Sequence, residues 1–283
     1  MITIATLTVR ELFRRRVIYV LAALTILSVV LVGWGLERLV DLARQNQQPE
    51  LNVQIGVSQV LILIAFMFSF VLAMTAAFVG APAVGGDLES GVAYAILARP
   101  LRRAEVVVGR WLGSAVVVVA YTIASGLLAI GVAVLVSGYG PPDPLLAVAF
   151  LSGEVLVLLT LTLALGSVLP GIAAGAIAVV GFGLAWMAGV MAGVAEALGV
   201  EGLRQVADAS RWILPTDGLW RGVIYGLEPP LVVLIAAGRE PALANANPFY
   251  ATEPPALIFV IWSIVWMALV LGAATWWFER RDL

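Results

Sequence analysis

Six separate runs of predominantly apolar residues, each twenty or more long, divide the chain at about 17–36, 57–79, 111–136, 145–169, 171–195 and 256–278. A helix rises ~1.5 Å per residue and the hydrocarbon core of a bilayer is ~30 Å thick, so each run is long enough to cross it. Inside lipid the backbone must satisfy its own hydrogen bonds, which makes such runs helices. Composition agrees. Hydrophobic residues make up 62% of the chain and charged residues only 12%, against roughly half and a quarter in soluble domains. The expected fold class is an all-α membrane protein, with 1–283 forming a single transmembrane domain. Only Pro170-Gly171 separates the fourth run from the fifth, which predicts a tight helical hairpin. No A-x-A-like cleavage site follows the first run, so it is kept as a span rather than a signal peptide.

Arginine placement predicts orientation. Arg10, Arg14, Arg15 and Arg16 precede the first run; Arg99, Arg102, Arg103 and Arg110 lie between the second and third; Arg280 and Arg281 follow the sixth. The short connections on the other side carry only Arg38 and Arg44, beside Glu37, Asp41 and Glu50. The positive-inside rule then puts both termini in the cytoplasm of a multi-pass protein of the cytoplasmic (inner) membrane. The long 196–255 connection falls outside, where its arginines count little.

Three stretches outside the runs carry pattern. At the N-terminus, Ile2, Ala5, Val9, Leu12 and Phe13 share a helical face with Arg10 and Arg14 off it, the pattern of an interfacial helix. Between the second and third runs, Asp87 is placed to cap a short helix with Leu88, Val92 and Ile96 on one face, ended by Arg99-Pro100. That stretch suits either a solvated connector or a docking element for a soluble partner. Between the fifth and sixth runs, Thr216 is placed to cap a helix to about Leu227, with Leu219, Trp220, Val223, Ile224 and Leu227 on one face. The short apolar stretch 231–237 and the prolines around it complete a region of interfacial or re-entrant helices. Trp212, Trp220, Tyr225 and Tyr250 are candidate aromatic anchors there.

The absences exclude chemistry. The chain has no histidine and no cysteine, and all 16 of its basic residues are arginine. Without lysine there is no Walker A loop; without histidine there is no Ser-His dyad or imidazole relay. Val84-Gly85-Gly86-Asp87 resembles an intramembrane aspartyl protease motif, but a second intramembrane aspartate is missing. The expectation is a non-catalytic chain with no metal or cofactor of its own. Nothing in it points to nucleic acid.

One charge lies inside a run. Glu154 falls about ten residues into the fourth, where a charge costs at least ~2.5 kcal/mol. It is a functional candidate, or else a protonated group bonded to a neighbouring helix, with Thr160 or Thr162 within reach along the chain. The fifth run carries Gly171/Gly175 and Gly189/Gly193 at GxxxG spacing, which predicts close helix packing there.

Gly86-Asp87-Leu88-Glu89-Ser90-Gly91, then Leu97-Ala98-Arg99-Pro100-Leu101-Arg102-Arg103 and Val108-Gly109-Arg110, resemble the cytoplasmic signature of type-2 ABC transporter permeases. That signature has an acidic residue, Glu-x-Gly, Leu-x-Arg-Pro-x-x-Arg and a Gly-Lys re-entry into the membrane. Arg110 stands at the lysine position. The closing Phe278-Glu279-Arg280-Arg281-Asp282-Leu283 and the Leu214–Tyr225 stretch also resemble that family. The resemblance implies a permease subunit of an exporter, paired with a second copy and driven by a separate ATPase subunit that binds ATP and magnesium. It makes the 80–110 segment a coupling helix, with Asp87, Leu88, Glu89, Gly91, Val92, Ile96, Arg99, Pro100 and Arg103 at or near the ATPase. It does not identify the substrate, since relatives export drugs, lipids, polysaccharides or peptides. Two other classes fit the residues: a proton-coupled carrier built on Glu154, and a membrane scaffold without transport.

Overall fold

A computed structural model describes residues 1–14, 16–89, 102–230, 247–251 and 253–280, with side chains for all of these except 16–18, 84–89 and 196–197. The described residues are helical with short connections and contain no strand. Helix α1 spans Ile2–Arg14, α2 Arg16–Gln45, α3 Glu50–Glu89, α4 Arg103–Ser137, α5 Pro144–Gly166, α6 Gly171–Leu198, α7 Glu201–Ile213, α8 Thr216–Leu227 and α9 Leu257–Glu279. Among the described residues, helices α2 to α6 and α9 are the six long and apolar enough to cross a membrane.

Burial ranks them. α3 and α5 are the most enclosed, and α2 and α9 the most exposed. The apolar residues of α5 run around its whole circumference, as a central helix requires. Its start is built locally: Asp143 caps it, accepting the Leu146 N–H at 3.1 Å, and Pro144 takes the first helical position. Helix α4 ends at Gly138, whose φ of 74° suits a residue without a Cβ.

The helices overrun the apolar cores that define them. α3 has 40 residues and α4 has 35, about 60 and 50 Å at ~1.5 Å per residue. α3 continues past Pro82 to Glu89, so Asp87, expected to precede a short helix, is itself a residue of the last turn of α3. Pro82 does not end α3, because a proline-bearing helix packed against neighbours has its freed backbone groups compensated. The Ala81 carbonyl beside it packs so closely on α5 that a Cβ at Gly166 would stand 2.7 Å from its oxygen.

At the same, arginine-rich end, α1 lies against the start of α4. A Cβ at Gly113 would come within 2.6 Å of the Ala5 carbonyl oxygen, and one at Gly109 within 2.8 Å of Ile4 Cβ. Of the expected face, Leu12 is buried and Ala5 and Val9 are half-buried, with Thr8 buried beside them, whereas Ile2 and Phe13 are exposed. The paired glycines of α4 decide this, because they open a groove that admits the Ala5–Thr8 turn.

The opposite end holds the larger departure. α8 is buried almost throughout, wedged against α5 with further contacts to α3 and α6. Trp220 is therefore core and not a lipid anchor. Thr216 is the first helical residue, its Oγ1 has no hydrogen-bond partner, and Pro215 occupies the cap position. Gly218, Gly222 and Gly226 make the wedge possible. A Cβ at these positions would collide with Phe259, with Phe150, and with Asp143 and Ala147 respectively. This tandem GxxxG is the signal in the sequence for the close approach of α8. α7, with Glu201, Arg204 and Asp208 paired along it, was also unanticipated; its charges at i, i+3 and i+4 were the available signal. The stretch 231–237 lies outside the described residues.

Candidate functional site

Among the described residues, polar assemblies interrupt the apolar bundle, and three of them carry the predicted site residues or tie spans together. The deepest is Glu154, buried on α5, whose Oε1 accepts a hydrogen bond from Ser69 Oγ of α3 at 2.8 Å. Its Oε2 has no hydrogen-bond partner. Neither threonine expected as its partner reaches it. Thr160 accepts the Trp111 indole N–H at 2.9 Å and donates to the Leu156 carbonyl, while Thr162 donates to the Leu158 carbonyl. The reason is geometric: six residues on, Thr160 points to another face, and eight residues on, Thr162 stands about 12 Å further along the axis at ~1.5 Å per residue. Ser69 arrives from a helix 85 positions away in the chain. Ser69→Ala is expected to destabilise the bundle by about 1–3 kcal/mol by stranding a buried carboxyl group. Adding Glu154→Leu should restore most of the loss, because replacing both polar groups removes the unmet demand. Thermal unfolding in detergent of the single and double variants checks this.

The second assembly joins α6, α7 and α8. Asp217 is 5% exposed. Its Oδ2 accepts from Arg211 Nε at 2.7 Å and lies 3.6 Å from Arg221 Nε. Arg211 also donates to Asp208 at 3.1 Å, and Arg221 Nη2 donates to the Gly189 carbonyl at 3.5 Å. Gly189 belongs to the expected fifth-span motif, but what it admits is a carboxylate: a Cβ there would overlap Asp217. Gly171 and Gly175 make only ordinary contact distances to α3. Beside this network, Trp262 and Trp266 of α9 donate indole N–H groups to the carbonyls of Trp212 and Ile213 at 2.9 and 2.8 Å. The last turn of α7 is thereby tied to the sixth span.

The third assembly lies at the arginine-rich end. Arg110 Nη1 pairs with Glu11 Oε2 at 2.7 Å and reaches Thr8 Oγ1 at 3.5 Å, linking α4 to α1. Arg103 Nη1 donates to the carbonyls of Glu279 at 3.1 Å and Phe278 at 3.4 Å. It so closes the C-terminal end of α9, where unpaired carbonyls favour a cation. Of the other candidate coupling residues, Asp87, Leu88 and Glu89 form the end of α3. Gly91, Val92, Ile96, Arg99 and Pro100 lie outside the described residues. α3 and α4 thus bracket positions 90–101, and the base of α4 is gripped from two sides, by α1 and by the end of α9.

A family model described as ABC-2 family transporter protein matches residues 2–283. The chain belongs to that family. It is a multi-pass membrane permease of an ABC transporter, and the six-span bundle is the ABC-2 permease itself. No curated protein matches the chain. Within the permease, Arg103 and Arg110 fall in the motif that carried the resemblance and hold α9 and α1 against α4.

Proposed function

We propose that this permease is the membrane-spanning subunit of an ATP-driven exporter of the cytoplasmic membrane, energised by a separate ATPase subunit that binds ATP and magnesium. Two copies pair around a central path, and both termini lie on the ATPase side. The observation that carries the reading is the arrangement at the arginine-rich end. Two helices longer than a bilayer is thick bracket positions 90–101, and α4 is bound there to α1 and α9 through Arg110 and Arg103. A partner pushing on the ends of α3 and α4 therefore moves long helices, and the displacement passes into α3 at the bundle centre.

Leu88, Val92 and Ile96 at i, i+4 and i+8 suit an apolar groove on the ATPase. Glu89, Arg99 and Arg103 set register by charge. The test is pull-down of the ATPase by the full permease, with membrane expression scored alongside. Leu88→Asp and Glu89→Arg each should lose most of the pull-down at unchanged expression, and the permease alone should turn over no ATP. Undiminished pull-down with both variants overturns coupling through this segment, and ATP turnover without a partner overturns the division of labour.

A further inference from the structure

Residues 247–251 cross the α8 end of the bundle, held at three points. Trp220 of α8 donates its indole N–H to the Pro248 carbonyl at 3.3 Å. Phe249 packs edge-on against Phe66 of α3, with ring centroids 5.4 Å apart, and Phe66 also packs on Trp186 and Trp220 at 4.9 and 5.7 Å. Ala251, itself buried, donates its N–H to Glu228 Oε2 at 3.2 Å. Glu228 directly follows α8 and is only 1% exposed, and its Oε1 has no hydrogen-bond partner.

We propose that 247–251 is a proton-sensitive strap: with Glu228 neutral it closes over the aromatic cluster of Phe66, Trp186 and Trp220, and ionisation of Glu228 releases it. A neutral carboxyl keeps the Ala251 N–H on one oxygen and leaves only its own O–H without an acceptor among the described residues. A carboxylate in the same place is a buried charge that no cation among the described residues meets, and it regains water only if the strap lifts. The surrounding groups do not relieve it. Tyr139, from the α4–α5 connection, spends its hydroxyl on the Leu227 carbonyl at 2.8 Å, and Tyr250 is on the strap itself. Burial and then the Glu228 charge raise the pKa of both tyrosines, so they stay neutral. Asp143 of the neighbouring α5 start is committed to its cap, and Asp217 and Arg221 of α8 lie in the network with Arg211. α3 between Leu51 and Ala83 and α6 between Gly171 and Ala195 bring no charged side chain.

Burial pushes Glu228 up to about 7, against the opposing pull of the Ala251 N–H. The released strap returns it toward its ordinary value of 4.5. Because the closed form has the raised pKa, closure is most favoured in acid. Between those two values each pH unit raises the ratio of released to closed strap by up to about tenfold, and above the higher one the gain levels off.

The chain has no cysteine of its own, so Ala251→Cys reports the strap and Gln47→Cys, in an exposed turn, serves as reference. Labelling with 4,4′-dithiodipyridine, which reacts with thiols in acid, is compared near pH 5 and pH 7.5. The rate at 251, divided by the rate at 47, should rise at least about tenfold in the chain with Glu228 and stay low and level with Glu228→Gln. A level ratio with Glu228 present, or a rise that persists in Glu228→Gln, overturns the proposal. Should a variant fail to fold, hydrogen exchange of 247–251 in the unmodified chain decides. Protection beyond the intrinsic pH effect should fall across the same window; constant protection overturns it.

Discussion

Asp217→Ala is expected to lower stability by about 3–5 kcal/mol, because it leaves two arginines facing each other around an emptied, largely buried position. Arg211 and Arg221 converge on the same carboxylate oxygen from α7 and α8, at 2.7 and 3.6 Å. An exposed pair would be worth only about 0–1 kcal/mol, but Asp217 is 5% exposed and both guanidiniums are largely covered. Gly189→Ala should act on the same network from the other side, since its new Cβ would displace the Asp217 carboxylate. The double variant should then cost clearly less than the sum of the two singles, as changes sharing one partner do. Thermal unfolding of the detergent-solubilised protein measures all three. A loss for Asp217→Ala of an exposed pair's size would show that solvent reaches this network.

Gly113→Leu should drive α1 off α4. Its first side-chain atom alone meets the Ala5 carbonyl oxygen and Thr8 Cβ at 2.6 and 2.7 Å, and three further carbons have nowhere to go. Overpacking of this kind costs about 1–3 kcal/mol where neighbours yield. A short terminal helix yields by leaving. Gly131→Leu, on the same helix with nothing within 4 Å, is the control and should be neutral. Limited proteolysis of the N-terminal segment should cut the Gly113 variant much faster than the control. With α1 displaced, Arg110 loses its pairing to Glu11, and under the proposed coupling ATPase pull-down should weaken too. Equal proteolysis of both variants would show that α1 is held by something other than this groove.

Glu154 and Asp217 show how far sequence reading reaches. Glu154 stood out because a carboxyl group inside an apolar run is conspicuous without any neighbour, yet its partner did not. Ser69 is a small polar residue among apolar ones, and nothing local marks it as facing Glu154. Asp217 is legible only as one residue of the Leu214–Tyr225 stretch that resembles the family, because in a polar connection a carboxylate is ordinary. Its importance comes from α8 sinking into the bundle. Gly218, Gly222 and Gly226 carried the sign of that descent, but a glycine stripe says only that something comes close, not what.

By itself the sequence determined the six spans, the arginine-rich end and, through motif resemblance, the ABC-2 permease family that a match over 2–283 then showed. These are local properties: a bilayer reads each run of ~20 apolar residues on its own and demands a helix of it. Only the tertiary structure decided where α1 seats on α4, that α8 is core rather than surface, that Ser69 meets Glu154 and that Asp217 gathers two arginines. In lipid, an apolar side chain is equally at home against a neighbouring helix or a hydrocarbon chain. Hydrophobicity therefore cannot set how the helices rotate or pair, and the fit of small residues and buried polar groups across the bundle does so instead.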